Sequence, residues 1–383
     1  MLNVMKIRHV IAVSALLALL AGCTAVQRST ETDILDAQMV YALVPDAGSA
    51  ADLRQFADAG GYELTREARL RGLGLTMLDF RIPAGITAPQ AIFTLEDAVP
   101  TATVGVNHVY RLQQETSGQR SLDYANDLMR WPEGGCRARA AVGIIDTGID
   151  INAPALAEAR IVTRAFFSGR AGPATHGTDV ASVLSNPDRL SDVTIYGANV
   201  FGQQNALGLV AGADALVRAL NWLAEEEVRF VNLALAGPYN KLLDLAVTRA
   251  VARGLILVAA VGNDGPDVAP LYPAGFDGVI AVTAVDATGR IYRNAVRGPH
   301  VDVAAPGVDV MVTSDGRTRF VTGTSIATPF VTARLAADAS LAGARTVEQV
   351  RTRLAETSTE LGPMGRDAIY GYGLSLAENV CPS

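Results

Sequence analysis

Histidine and cysteine are scarce in this chain: four histidines and three cysteines occur in 383 residues. None sits at the short spacing a structural zinc site needs, so no metal site is expected. Lysine is nearly missing, with Lys6 and Lys241 set against thirty arginines. Abundant alanine and glycine accompany that skew, which reads as a GC-rich genome and not as function. Positive charge is in deficit overall, 32 Lys and Arg against 39 Asp and Glu, a formal −7. No basic stripe appears, so a nucleic-acid partner is excluded. No stretch reaches eighteen apolar residues, the length a membrane-spanning helix requires. What remains is globular composition, 49% apolar and 19% charged, in a chain too long for one ordinary core. Two or three domains are expected.

Residues 1–22 read as an export signal: Lys6 and Arg8, then the short apolar run Val10 to Leu20. The run ends in Leu20-Ala21-Gly22-Cys23, which resembles the lipobox of bacterial lipoproteins. That resemblance implies lipidation of Cys23, cleavage before it, a tether over 23–37, and attachment to a membrane through the lipid. The alternative is an ordinary secretory signal with an accidental cysteine. Thr24 stands where an Asp would direct inner-membrane retention, which favours the outer membrane in a host with two membranes. Export places Cys136 and Cys381 in an oxidising compartment. With Cys23 lipidated they are the pair left, and a disulfide is expected between them; two buried unpaired thiols are the alternative.

Residues 38–112 look like a small α+β unit. Strands are expected at Gln38–Val44, Tyr62–Arg69, Leu75–Ile82 and Ala102–Val109, with helices at Ala50–Ala59 and Pro89–Ala98. This βαββαβ order is the split, ferredoxin-like arrangement. Residues 113–135 are polar and turn-rich, a linker by composition that leads into the start of the mature domain. From 136 to 383 the pattern changes. AAVGIID, DVTIYGANV, VRFVNLAL, LILVAAVGN and GVIAVTAV are near-continuous apolar runs, alternating with helical stretches at Thr178–Leu184, Ala211–Glu225, Leu242–Arg253 and Ser325–Ala342. Such runs imply strands buried on both faces. The fold class is therefore α/β, a doubly wound, mostly parallel sheet whose reactive groups collect beyond the carboxyl ends of its strands.

Four residues stand at such positions. Asp146 ends the first run in Gly143-Ile144-Ile145-Asp146-Thr147-Gly148. His176 opens a helix in Thr175-His176-Gly177-Thr178. Asn263 follows a strand in Ala260-Val261-Gly262-Asn263, and Ser325 begins a helix in Gly323-Thr324-Ser325-Ile326-Ala327-Thr328-Pro329. Acyl transfer needs a nucleophile, a base, a group that orients the base, and a donor for the oxyanion. Ser325, His176, Asp146 and Asn263 are the right types for those roles. The four motifs, in that order over about residues 115–380, resemble the subtilisin-like serine proteases, the subtilases. Tyr272-Pro273-Ala274 and Ala305-Pro306-Gly307 look like further landmarks of the family.

The resemblance implies a serine endopeptidase acting on peptide or protein substrates through an acyl-enzyme. It also carries a substrate-lining strand onto Ala234-Leu235-Ala236-Gly237, where Ser-Leu-Gly-Gly is usual, and a pocket floor onto Leu271. Leu271 should narrow that pocket, so medium apolar side chains are expected in it. Ile326 stands where Met is common beside the nucleophile, which implies resistance to peroxide. The segment after the His176 helix lacks the Asn- and Gly-rich loop that holds tight calcium in many relatives. No cofactor is expected to be required, and a tight calcium site is not expected.

By the same resemblance, residues 38–112 match the order of a subtilase propeptide, with Asn107-His108-Val109-Tyr110-Arg111-Leu112 as its C-terminal tail. The propeptide would plug the cleft of its own enzyme until cut between Leu112 and Ser121. The alternative is a permanent inhibitory or docking domain. Two other readings stay open: a catalytically silent lipoprotein that only binds peptides, and an aspartic-type protease using Asp146-Thr147-Gly148. The latter needs two such carboxylates, and the chain has one copy of the motif.

Overall fold

The computed structural model describes residues 34–381, apart from 114, 118–123, 205–206, 315–316 and 342. Cys23 and the whole signal segment therefore lie outside the described residues. Among those residues, nine strands form the large sheet, ordered Ser358–Thr359, Leu374–Ser375, Val303–Pro306, Val279–Val285, Ile256–Ala260, Phe230–Leu233, Val142–Asp146, Thr194–Asn199 and Arg160–Ala165. All neighbouring pairs are parallel except the edge pair Ser358–Thr359 with Leu374–Ser375. After Val142–Asp146 the chain builds outward on one side, through Arg160–Ala165 and Thr194–Asn199. It then crosses to Phe230–Leu233 on the other side. Asp146 thus ends a strand at the point where strand order reverses, the place where such sheets open a crevice.

The five apolar runs became central strands because both faces are covered. Helices Ala213–Glu225 and Lys241–Ala252 pack together, and helix Thr324–Ala337 lies across four central strands. Every residue of that last helix is buried. The fold class expected from the sequence is the one observed. Arg160–Ala165 escapes sequence reading because, as an edge strand, it exposes nearly every side chain and carries no apolar period.

Residues 39–105 form a four-stranded antiparallel sheet, ordered Glu63–Leu70, Leu75–Arg81, Met39–Val44 and Thr103–Gly105, with helices Ala47–Ala59 and Ala88–Ala98 on one face. Val40, Ala42, Leu78, Phe80 and Val104 pack under those helices with Leu53 and Leu95. The alternate residues Tyr41, Leu43, Leu75 and Met77 join the main core instead. A strand with period 2 presents both sets, which explains why Met39–Val44 is apolar throughout. Gly72 touches helix Ala213–Glu225 so closely that a Cβ there would lie 2.2 Å from the Asn221 carbonyl oxygen. Leu73 N–H donates to Asn221 Oδ1.

Two expectations about connections are corrected. The strand expected over Ala102–Val109 is broken. Thr103–Gly105 stays in the small sheet, and Asn107 turns to the N-terminus of helix Ala213–Glu225. There its Oδ1 accepts the Asp214 N–H at 3.1 Å and its Nδ2 donates to Asp214 Oδ1 at 2.8 Å. The chain then enters a different sheet at Val109–Leu112. Nor is 113–135 a linker throughout. Glu115–Ser117 pairs with Arg317–Thr322, and a short helix, Ala125–Met129, buries Ala125 and Met129 completely. Composition misses this helix because it is only five residues long and lies in a stretch that is polar on the whole. Cys136 and Cys381 are bonded, S–S 2.01 Å, closing a loop of 245 residues.

Candidate active site

Asp146 is the last residue of its strand and wholly buried. Its Oδ1 accepts the Thr147 N–H at 2.6 Å. The Thr147 hydroxyl accepts the Gly177 N–H at 2.8 Å, so the turn after the strand holds the start of helix Thr175–Leu184. Gly177 is required there, because a Cβ would lie 2.6 Å from the Gly148 oxygen and 2.7 Å from that of Thr147. His176 is thereby set with Nδ1 at 2.7 and 2.9 Å from the two Asp146 oxygens. Its Nε2 stands 3.2 Å from Ser325 Oγ. A carboxylate can only accept, so Nδ1 carries a proton and Nε2, in the neutral ring, presents its lone pair to the hydroxyl.

Ser325 is the second residue of its helix and fully buried. Thr324 before it links the helix to Asn263. The Thr324 N–H and Oγ1 both donate to Asn263 Oδ1, at 3.1 and 2.9 Å, while Gly262 N–H donates to Thr324 Oγ1 at 3.2 Å. Because a backbone N–H can only donate, the carboxamide oxygen must face Thr324 and Nδ2 must face the other way. Nδ2 is buried and has no hydrogen-bond partner among the described residues. A buried donor left unpaired is costly, and its place beside Ser325 is where an acyl-transfer site needs one.

The crevice is filled by the chain itself. Arg111 and Leu112 pair antiparallel with Ala236 and Leu235. The next carbonyl, of Gln113, accepts the Ser325 N–H at 3.3 Å and lies 2.5 Å from Ser325 Oγ. Glu115–Ser117 then continues on the far side, paired with Arg317–Thr322. The described segments on either side of residue 114 thus pair with opposite walls of the site, with the Gln113 carbonyl against Ser325. Tyr110 is fully buried, and its hydroxyl donates to the Pro238 oxygen at 3.1 Å. Gly237 makes that room, since a Cβ there would come within 2.5 Å of the Tyr110 ring.

Of the residues singled out from sequence, Asp146, His176, Asn263 and Ser325 converge, and Leu235, Ala236 and Gly237 line the peptide-bearing edge. Ala234 is buried just before that edge, and Gly237 exchanges two backbone hydrogen bonds with Tyr272, 2.9 and 2.8 Å. Leu271 lies against Gly262 at the other wall. The residue whose carbonyl meets Ser325 is the polar Gln113. Sequence reasoning missed Thr324, Asn107 and Gln113. The first two act through partners more than fifty residues away, and Gln113 stands as the first residue of a segment that reads as a linker. Among the described residues no cluster of three or more metal-ligating side chains occurs, and no helix is long and apolar enough to cross a membrane.

The sequence profile described as "Subtilase family" matches residues 138–373. Subtilisin DY of Bacillus licheniformis is 33% identical over 257 residues, 63% of this chain and 90% of that protein. The thermostable alkaline protease of Halalkalibacterium halodurans is 32% identical over 246 residues, 61% of this chain and 65% of that protein. Fervidolysin from Fervidobacterium pennivorans, whose crystal structure is titled that of a keratinolytic enzyme related to subtilisin, superposes with a TM-score of 0.72 at 20% identity. That match covers 90% of this chain and 60% of fervidolysin, and it shows the shared fold. The matched profile spans well over half of the sequence and the four motifs meet in one crevice: the chain belongs to the subtilase family of serine endopeptidases.

Proposed function

We propose that this chain is an exported zymogen that cuts itself after Gln113 and then hydrolyses other peptides with the same four residues. The observation that carries this reading is the unbroken series of contacts from Asp146 through His176 and Ser325 to the Gln113 carbonyl. The Ser325 hydroxyl has one proton. When it passes to His176 Nε2, Oγ attacks the carbonyl carbon, and Asp146 holds the ring and stabilises the imidazolium. The oxygen that becomes negative meets the Ser325 N–H, the free Asn263 Nδ2 and the positive end of the Ser325 helix. His176 gives its proton to the leaving amine of residue 114, and water, activated by the same imidazole, resolves the acyl-enzyme.

Residues 38–113 act in this scheme as propeptide: a folded plug whose tail lies in the cleft in the manner of a substrate. The silent-lipoprotein reading leaves the unpartnered Asn263 Nδ2 without a purpose. The aspartic reading conflicts with an Asp146 committed to one imidazole. Cys23 is proposed as the lipid anchor on the strength of Leu20-Ala21-Gly22-Cys23 alone, and no cofactor is invoked.

Full-length protein and its Ser325→Ala variant, each treated with a serine-directed fluorophosphonate and then sequenced from the N-terminus, test the scheme. Wild type should label at Ser325 and yield a chain starting at residue 114, and the variant should do neither. In subtilisin, loss of Ser or His lowers turnover about 10⁶-fold and loss of the oxyanion Asn about 10²–10³-fold. The same ranking is expected for Ser325→Ala and Asn263→Ala; equal losses would remove Asn263 from the scheme. Metabolic labelling with a fatty acid should mark wild type and not Cys23→Ser.

A further inference from the structure

We infer that the cleft selects glutamine on the acyl side of the cut bond, an inference that rests on the proposed self-cleavage. The Gln113 side chain is only 6% exposed, and both ends of its carboxamide are used. Oε1 accepts the Asn263 backbone N–H at 2.7 Å, and Nε2 donates to the Arg111 carbonyl at 3.4 Å. The acceptor end thus meets a donor from the enzyme. The donor end meets a carbonyl that is held still because Arg111 and Leu112 are paired with Ala236 and Leu235.

This pair of contacts is a chemical filter. Glutamate offers the same acceptor, but its second oxygen would face the Arg111 carbonyl with no proton between them. Asparagine is one methylene too short to reach the Asn263 N–H. Methionine and leucine fill comparable volume and leave that N–H buried without an acceptor, a loss far larger than that of the contact area. Packing behind Asn263 keeps the donor in place. Leu271 packs so tightly against Gly262, the residue before Asn263, that a Cβ on Gly262 would lie 2.6 Å from Leu271 Cδ1.

Since the donor is a backbone group, the informative substitutions are in the substrate. Peptides acetyl-Tyr-Arg-Leu-Xaa-Gln-Glu-Thr, with Xaa Gln, Glu, Met, Leu or Phe, are given to the matured full-length protein and kcat/KM is read for the bond after Xaa. Gln should exceed Met and Leu by about ten- to hundredfold, the range expected for one buried, otherwise unmade hydrogen bond, and Glu and Phe should also fall below it. Gln113→Met in the intact chain should slow appearance of the chain starting at residue 114 by a similar factor. Hydrolysis of casein reports the protease itself. If casein is cut while Met or Leu peptides are cut as fast as the Gln peptide, the glutamine filter is wrong and the protease reading stands. If neither casein nor any peptide is cut, both fall.

Discussion

The Nδ2 of Asn240 donates to Nδ1 of His108 at 3.0 Å, across the boundary between the peptidase domain and the tail that occupies its cleft. The same NH₂ donates to the Val106 carbonyl at 2.9 Å, while Asn240 Oδ1 caps helix Lys241–Ala252 through the N–H groups of Leu242 and Leu243. Both N–H groups of the Asn240 carboxamide and its oxygen are occupied, so this contact survives only while His108 Nδ1 is unprotonated. Burial lowers the His108 pKa below its ordinary 6.5. The free tail therefore binds a proton before the docked one does, and docking is fully stabilised above 6.5 and weakens as pH falls below it. The fraction of cleaved small domain that still co-elutes with the enzyme should drop on acidification from pH 7.5 to 5.5. In His108→Gln that component of the drop should vanish; an unchanged profile would rule the contact out as a proton sensor.

Asp79 works in the opposite sense on the same boundary. Burial raises its carboxyl to about 6 against the pull of Arg66, whose Nε donates to Asp79 Oδ2 at 2.6 Å. Arg66 also reaches Asp214 of the peptidase domain, which pairs with Arg218, and Tyr41 stands close by with its hydroxyl pushed up to about 12. A carboxyl with a raised pKa takes up a proton on folding, so its contribution grows as pH falls from above 6 toward 4. The shift corresponds to about 3 kcal/mol. Relative to Asp79→Asn, wild type should gain stability to urea between pH 7 and pH 5. A difference that is flat with pH would contradict the assignment.

Gly72 offers a way to loosen the small domain without touching the cleft. A methyl group at this position would overlap the Asn221 carbonyl, and overpacking of this kind costs about 1–3 kcal/mol. Gly72→Ala should weaken inhibition by the cleaved small domain about ten- to hundredfold while leaving the site of self-cleavage unchanged. Unaltered inhibition would show that the contact carries no docking energy.

The Cys136–Cys381 bond ties the start of the peptidase domain to its end. By chain entropy a loop of this length contributes about 5 kcal/mol. Reduction, or Cys136→Ser with Cys381→Ser, should lower the guanidinium midpoint markedly, with activity retained in the absence of denaturant. A midpoint that does not move would mean that native contacts alone hold the two ends.

Much of this molecule is legible in its sequence, and the boundary of that legibility is physical. Asp146, His176, Asn263 and Ser325 carry local signatures because each needs its own tight turn or helix start, such as the Gly177 that lets the His176 helix approach Thr147. The central strands announce themselves through burial on both faces. What cannot be read locally depends on a distant partner. Asn107 looks like one more residue of a strand until helix Ala213–Glu225 supplies two bonds for it. Glu115–Ser117 becomes a strand only because Arg317–Thr322 is there to pair with it. Gln113 has no motif at all, and its meaning comes from the carbonyl it delivers to Ser325.

On either side of the bond after Gln113 the chain is paired, with Leu235–Ala236 upstream and with Arg317–Thr322 downstream. If the proposed cut after Gln113 is made, the upstream piece keeps its pairing with Leu235–Ala236, so scission would not by itself empty the crevice. Vacating it would require the upstream piece to peel away from an edge and from two helices together, so in the proposed zymogen departure would set the tempo of activation, and the moment of cutting would be only its licence.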